Sequence, residues 1–232
     1  MENLEIRKLI VRGGAMPLKG VKTLRAWIML LALALPLTLT VPMASTANAD
    51  ELADAIKAQE NGDHETALKI LRSIVDQADA EVQYNLGVMY ENGEGIDLDL
   101  KEAVRLYRLA AAQGLAEAQY NLALMYQKGE GVERDLKEAT RFYRLAAEQG
   151  LADAQYNLAL MYAKGEGVFQ DLEKAYMWFA LAAVNGVNEA LETRDLAKQL
   201  MLADSSLGPA AVKRAEKAAR RCHDSNYQDC GS

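Results

Sequence analysis

The sequence has few of the residues that most catalytic and metal sites require. Its 232 residues include two histidines, His64 and His223, which lie far apart in the chain, and two cysteines. It contains no G-x-S-x-G or H-E-x-x-H motif and no phosphate-binding loop. The acids of "KGEGVERD" lack the alternate spacing of a calcium loop, and no pair of carboxylates stands out among the many Asp and Glu residues. We therefore predict a protein that is not an enzyme and has no cofactor and no metal site.

Basic residues are outnumbered by acidic ones, 26 to 33, so the net charge is −7. The first 49 residues hold six basic and two acidic residues, and the chain without them carries a net charge of −11. An acidic protein is repelled by phosphate backbones and by anionic lipid surfaces. We therefore predict no nucleic-acid partner.

Only one long apolar run is present, from Ala26 to Met43. A basic stretch precedes it and Ala47-Asn48-Ala49 follows, which is the pattern of a secretory signal peptide. An uncleaved anchor is the alternative, because 18 residues could just span a bilayer, but Pro36 and the A-x-A site favour cleavage. We predict a signal peptide over 1–49, cleaved after Ala49, and a periplasmic or secreted protein without stable membrane insertion. Met16 would give a more typical start than Met1.

The two cysteines, Cys222 and Cys230, stand in the C-terminal "RRCHDSNYQDCGS". An even number of cysteines in an exported protein favours a disulfide. A redox pair is the alternative, but it requires C-x-x-C spacing, which seven intervening residues do not provide. A disulfide closing so short a loop would contribute about 2–3 kcal/mol and tie the tail to the last helix.

Three consecutive segments of 36 residues, 80–115, 116–151 and 152–187, are identical at more than half of their aligned positions. In each, apolar residues recur at spacings of three and four, first before "GEG" and again after it, which predicts two amphipathic helices. In the second copy the two apolar faces comprise Ala118, Leu122, Ala123, Met125 and Tyr126, and then Ala139, Phe142, Tyr143, Ala146 and Ala147.

Residues at the predicted helix ends agree with this interpretation. Gly129 suits a left-handed helix end, and Asp135 with Glu138 forms a capping box for the second helix. The third copy has Asp171 but Lys174, so its second helix should begin with a weaker cap. One hairpin cannot bury its own apolar face, and stacked hairpins can bury one another.

The flanking segments follow the same scheme in a degenerate form. Residues 50–79 predict a hairpin with helices over 50–61 and 64–77. Residues 188–232 predict capping helices and a disulfide-tied tail, with Pro209 in the first turn of the last helix. The whole chain is predicted to be an all-α solenoid of about ten helices in antiparallel hairpins.

The repeat "AQYNLALMYQKGEGVERDLKEATRFYRLAAEQG" resembles the Sel-one-like repeat (SLR) family, a relative of the tetratricopeptide (TPR) repeats. The resemblance is strong over 80–187 and weaker over 50–79, at "GDHETALKIL". It implies a right-handed solenoid whose first helices line a concave surface, and a role as an adaptor between proteins. Some bacterial members carry a disulfide in each repeat and bind β-lactams; these three repeats have no cysteine, so that property is not carried over.

A candidate binding surface follows from the helical wheel of each first helix. Positions 2, 5, 9 and 12 of the repeat point away from the hairpin core, yet they include a tyrosine and an aliphatic residue in every copy. Packing between repeats is the alternative explanation for the tyrosines, and inter-repeat bonding or capping is the alternative for the adjacent asparagines. The predicted partner-binding residues are Tyr84, Val88, Glu91, Tyr120, Leu124, Gln127, Tyr156, Leu160, Asn85, Asn121 and Asn157, edged by the acids Glu81, Glu117 and Asp153.

From these features we expect a non-catalytic scaffold of the cell envelope that binds a protein or peptide on its concave face. Two alternatives are kept. One is an activity on cell-wall components such as peptidoglycan or β-lactams, as suggested for some relatives. The other is a secreted factor directed at a host.

Overall fold

The structure, a computed structural model, describes residues 51, 54–55, 57–58, 61–77, 79–93 and 96–230. The predicted signal peptide over 1–49 and half of the residues of the helix predicted over 50–61 lie outside these residues. The chain divides into two compact units, Met1–Ile74 and Val75–Ser232. The described part holds nine α-helices, near the predicted ten. They are α1 His64–Ile74, α2 Ala80–Asn92, α3 Leu100–Ala112, α4 Ala116–Lys128, α5 Leu136–Ala147, α6 Ala152–Lys164, α7 Leu172–Val184, α8 Glu189–Ala203 and α9 Gly208–Asp224.

The first unit contains α1, the second helix of the predicted degenerate hairpin. Asp63 begins it by accepting a hydrogen bond from the backbone N–H of Thr66 at 3.0 Å. Ala67 and Ile74 are buried, as expected for the apolar face of an amphipathic helix.

The second unit is an α-solenoid that begins with a single turn of 3₁₀ helix at Val75–Gln77. Its hairpins are α2–α3, α4–α5 and α6–α7, and the second helix of each hairpin also packs against the first helix of the next. At the end of the array, α8 and α9 both pack against α7 and against each other. The predicted fold class is confirmed, because each hairpin buries its apolar face against its neighbours in file.

The second helices begin at the predicted aspartates. The side chains of Asp99 and Asp135 each accept two backbone N–H bonds, at 2.9–3.1 Å, while Asp171 accepts one, from Lys174. The second hydrogen bond of a capping box would run from the backbone N–H of the aspartate to the side chain three residues later, and the Asp99 cap does not use it. The Asp99 backbone N–H donates instead to the carbonyl of Tyr90 in the preceding helix, and the Glu102 side chain pairs with Arg105.

One glycine in the loop between the first and second helices packs closely against the preceding repeat, which the sequence analysis did not predict. Gly167, at φ +72°, lies against the start of α5 in the preceding repeat. A Cβ atom there would lie 2.5 Å from the carbonyl carbon of Leu136 and 2.7 Å from Thr140 Oγ1, and closer still to the Leu136 carbonyl oxygen. Gly131 holds the same place against Leu100 one repeat earlier. Only glycine allows the loop to pack this closely against the neighbouring helix.

The C-terminal tail folds back as predicted. Cys222 and Cys230 form a disulfide, with both residues buried, and Pro209 stands in the first turn of α9. Within the disulfide loop, the ring of Tyr227 lies on the backbone of Gly150, in the turn between α5 and α6. The tail therefore packs on the turns of the repeats as well as on the last helix.

Candidate functional site

The predicted binding surface runs along the first helices of the three repeats. We call it the first-helix stripe and define it by Tyr84, Val88, Glu91, Tyr120, Leu124, Gln127, Tyr156, Leu160 and Ala163, the residues at positions 5, 9 and 12 of each copy. The structure places these residues in the repeats as two groups. One group is involved in packing between helices, and the other remains accessible to solvent.

The tyrosines belong largely to the packing group. Their rings contact an aromatic ring of the second helix in the same hairpin, with centroids 5.6 Å apart for Tyr84 and Tyr107, and 5.9 Å apart for Tyr120 and Tyr143. Tyr156 contacts Phe179 in the same way, at 5.5 Å. Tyr120 is 6% exposed, whereas Tyr84 and Tyr156 are half-buried.

The asparagines next to the stripe join successive repeats. The Nδ2 atom of Asn121 donates to the hydroxyl of Tyr107 at 3.2 Å, and that of Asn157 donates to the hydroxyl of Tyr120 at 3.4 Å. Asn121 is buried, while Asn85, in the first copy, is exposed. In the structure the amides of Asn121 and Asn157 are thus engaged within the array, and Asn85 is the asparagine that faces solvent.

A second polar pair links the two helices of a hairpin. The Tyr107 hydroxyl donates to Glu91 Oε2 at 2.5 Å, and the Tyr143 hydroxyl donates to Gln127 Oε1 at 2.6 Å. In the third copy both partners change, to Phe179 and Ala163. The hydroxyl and its acceptor are thus absent together in the third copy, whereas the loss of either one alone would deprive the other of this hydrogen bond.

The helix that follows the third copy shows a matching change. Thr193 of α8 stands 36 residues after Asn157, at the place where each earlier repeat has an asparagine. Its hydroxyl donates to the carbonyls of Glu189 and Ala190 in its own helix, at 3.1 and 3.2 Å. Thr193 thus keeps a polar group at this position, and its hydroxyl bonds within its own helix.

This pairing predicts a coupled effect of mutation in the second copy. Tyr143→Phe and Gln127→Ala should each lower the free energy of unfolding by about 1–2 kcal/mol, because each leaves one polar partner unsatisfied. The double variant reproduces the Phe179 and Ala163 pair and should lose about 1 kcal/mol less than the sum of the two single variants. Urea unfolding of the four proteins measures this coupling, and additive losses would contradict it.

Burial raises the pKa of the stripe tyrosines and keeps their hydroxyls protonated. It is the largest cause of the raised pKa of Tyr120, which reaches about 12, with a further contribution from the charge of Asp153. The pKa values of Tyr107 and Tyr143 are also raised, again chiefly by burial. At neutral pH these hydroxyls are therefore hydrogen-bond donors and acceptors within the array, and are not proton-transfer groups.

The accessible part of the stripe is aliphatic with an acidic edge. Val88, Leu124 and Leu160 are half-buried and recur every 36 residues, so a chain lying across the first helices meets an apolar group in each repeat. Glu81 and Glu117 are exposed at the starts of α2 and α4. Apolar groups bordered by charge, on one face and at regular intervals, are suited to holding a polypeptide.

A buried ladder of amides, which the sequence analysis missed, runs along the turns between repeats. Gln83, Gln119 and Gln155 occupy position 4 of the three copies and are at most 4% exposed. The Nε2 atoms of Gln119 and Gln155 donate to the carbonyls of Ala111 and Ala147 at the end of the preceding helix, at 3.3 and 3.1 Å.

The rungs of this ladder are the amides at position 34. Gln113, Gln149 and Asn185 each donate to the Oε1 atom of the position-4 glutamine in their own repeat, at 2.8 Å. The signal was present in the sequence. The same glutamine occurs in all three copies. It stands three, four and seven residues before core positions, so it lies on the same face of the helix as they do.

Among the residues that the structure describes, no three His, Cys, Asp or Glu residues are arranged to hold a metal ion. None of the helices in this part of the chain combines the length and the apolar character needed to cross a bilayer.

Comparison with known proteins gives a consistent result. The model of the Sel1 repeat matches residues 80–115, 116–151 and 152–187. A Sel1 repeat protein from Oxalobacter formigenes is 38% identical in sequence, with a TM-score of 0.51, over 55% of this chain and 96% of that one. A protective antigen present in uropathogenic Escherichia coli strains, displaying an SLR fold, is 32% identical with a TM-score of 0.56. That match covers 69% of this chain and 34% of the antigen. No curated protein matches the chain significantly.

Proposed function

The chain belongs to the Sel1 repeat family, and from this membership we propose that it is a non-catalytic scaffold of the cell envelope that binds a protein or peptide along its first helices. Repeats of this family generally mediate interactions between proteins. The observation that carries the proposal is the register of Val88, Leu124 and Leu160, which keep an apolar side chain partly exposed in every copy. Single exposed apolar residues are common on protein surfaces, but a row at the same position of every repeat forms a patch suited to contact with a partner.

The chemistry of the stripe indicates what kind of partner fits. Glu81 and Glu117 border it, and the net charge of the whole chain is −7, so a segment with basic residues would be attracted. The half-buried aliphatic groups recur at one per repeat and favour an extended segment with spaced apolar side chains. Asn85 and the accessible edge of Tyr84 provide polar contacts near the start of the array.

Location in the envelope is supported by the C-terminal disulfide, because disulfides persist in oxidising compartments. It agrees with the signal peptide predicted over residues 1–49. A scaffold in that compartment would collect partners that are exported by the same route.

The experiment that tests this function replaces the accessible aliphatic groups. Leu124→Glu with Leu160→Glu should reduce crosslinked capture of a partner from the periplasmic fraction by at least about tenfold, because it places charge in the apolar contact. Circular dichroism should be unchanged, since both side chains are half-buried and not in the core. Tyr120 is a poorer choice for this test, because it is 6% exposed and its replacement would disturb the fold.

The matched control is Val184→Glu, which makes the same chemical change at an apolar residue 67% exposed at the end of α7. It should leave capture at the level of the unmodified protein. If the stripe variant captures the partner as well as the control does, the partner binds elsewhere.

A further inference from the structure

The turns between repeats form a second surface, separate from the first-helix stripe, and one place on it is filled by the protein's own tail. Tyr227 lies over Gly150, where a Cβ atom would come within 3.0 Å of its Cε2 atom. Its hydroxyl both receives a hydrogen bond from Asn185 Nδ2, at 2.8 Å, and donates to Asn185 Oδ1, at 3.0 Å. A glycine below the ring and an amide at the hydroxyl thus make a seat for a tyrosine side chain.

The same seat exists one repeat earlier, and it is open. Gly114 and Gln149 stand 36 residues before Gly150 and Asn185. A Cβ atom built on Gly114 meets no atom within 4 Å, in contrast to Gly150. Both residues line a shallow cleft of about 550 Å³, widely open to solvent, at the turns of the first two repeats. The cleft at Gly114 and Gln149 is therefore the counterpart, one repeat earlier, of the seat that Tyr227 occupies.

The side-chain amide of Gln149 is the polar group of the open seat. Gln149 uses its Nε2 atom on Gln119 Oε1, as Asn185 does on Gln155. Gln149 is exposed, so its Oε1 atom is accessible to a donor from outside the array. An incoming phenol could donate to that oxygen, as Tyr227 donates to Asn185.

The tail also indicates that the filled seat is favourable. Tyr227 adopts a left-handed backbone, φ +66°, which a bulky side chain rarely does. Such a conformation costs about 1–3 kcal/mol and persists only where surrounding contacts offset it. Contacts with Gly150 and Asn185 are among those that hold the tyrosine in place.

We propose that the cleft at Gly114 and Gln149 is a docking site for a tyrosine side chain presented by a loop of a partner polypeptide, held as Tyr227 is held one repeat later. The cleft adjoins the stripe at Glu81 and Glu117 but contains none of the residues that define the stripe, so it adds a second point of attachment at the turn edge of the array. Two weak contacts on one scaffold raise the affinity for a partner that can reach both.

A peptide supplied in trans tests the proposal. The probe is the disulfide-closed peptide of residues 222–230, "CHDSNYQDC", in 0.15 M salt to screen its acidic residues from Glu81 and Glu117. Titration of the full mature protein, followed by NMR, should perturb the Gly114 amide at a stoichiometry of one. A probe with phenylalanine in place of tyrosine should bind more weakly, since it lacks the hydroxyl.

Variants of the seat locate the binding. Gly114→Ala should weaken binding by about tenfold, because its Cβ atom would press on the docked ring, as one on Gly150 would come within 3.0 Å of Tyr227. Gly186→Ala is the matched control, since Gly186 also has a positive φ and open space around it and does not line the cleft. Gln149→Asn should bind at least as tightly as the unmodified protein, because it reproduces the lining of the filled seat.

The filled seat provides the positive control. In Tyr227→Ala the disulfide stays intact, the seat at Gly150 is vacated, and the protein should bind a second probe there. Binding only at Gly150, binding at neither seat, or binding that ignores Gly114→Ala would each overturn the proposal. Leu124→Glu should leave probe binding unchanged, so a failure of the stripe and a failure of this cleft are told apart.

Discussion

Gly167→Ala is expected to destabilise the second unit by about 4 kcal/mol. The added Cβ atom would overlap the carbonyl group of Leu136 and press on Thr140, both at the start of the preceding repeat's second helix. These atoms are held by the helix and cannot rotate away, so the loop and the helix must separate. The positive φ of +72° adds strain for any residue with a side chain.

Thermal and urea unfolding of the purified variants measure this effect. Gly186→Ala is the control, because it carries the same kind of strained backbone, φ +104°, with nothing within 4 Å of the added atom. It should cost only about 1 kcal/mol. Equal losses in the two variants would show that backbone strain, and not contact between repeats, determines the need for glycine.

Gln155→Leu is expected to cost about 3 kcal/mol, although it replaces a polar residue by an apolar one in the interior. Gln155 is 0% exposed, and its amide joins the carbonyl of Ala147 to the Nδ2 atom of Asn185. Leucine would leave both of these groups without this partner at the boundary between two repeats. Asn185 also holds Tyr227, so the variant should loosen the tail as well.

The control removes the same kind of hydrogen bond from a residue that is exposed to solvent. Gln170 is exposed, and its Nε2 atom donates to the carbonyl of Ala163 at 2.8 Å. Gln170→Leu should change the unfolding free energy by less than about 1 kcal/mol, because solvent replaces the lost partner. Hydrogen exchange at the tail amides, faster in Gln155→Leu than in Gln170→Leu, checks the link to Tyr227. A neutral Gln155→Leu would mean that the ladder does not stabilise the array.

The helices and their ends were predictable because they depend on short-range patterns. Apolar spacing predicted the repeat helices, and Asp99, Asp135 and Gly129 mark ends that the structure confirms. The prediction of a complete capping box was wrong for a physical reason. The backbone N–H of Asp99 is taken by the carbonyl of Tyr90, a partner that depends on how the loop closes.

The binding surface was harder to predict, because a helical wheel treats each helix alone. It gives the side opposite the hairpin core, but it does not show what the next repeat covers. Tyr120 and Asn121 lie on that side in sequence, yet the structure buries both between repeats. Leu124 and Leu160 lie on the same side and stay accessible. The helical wheel alone did not distinguish these accessible residues from the buried Tyr120 and Asn121.

The Tyr143–Gln127 and Phe179–Ala163 pairs make the interiors of the second and third hairpins chemically distinct, so their single helices are not interchangeable. A recombination whose crossover falls between the two helices of a hairpin would set Gln127 against Phe179, or Ala163 against Tyr143. Either product would lack one hydrogen-bond partner of the pair. A crossover between hairpins keeps each pair intact, so the whole hairpin is the unit that can be exchanged within this array.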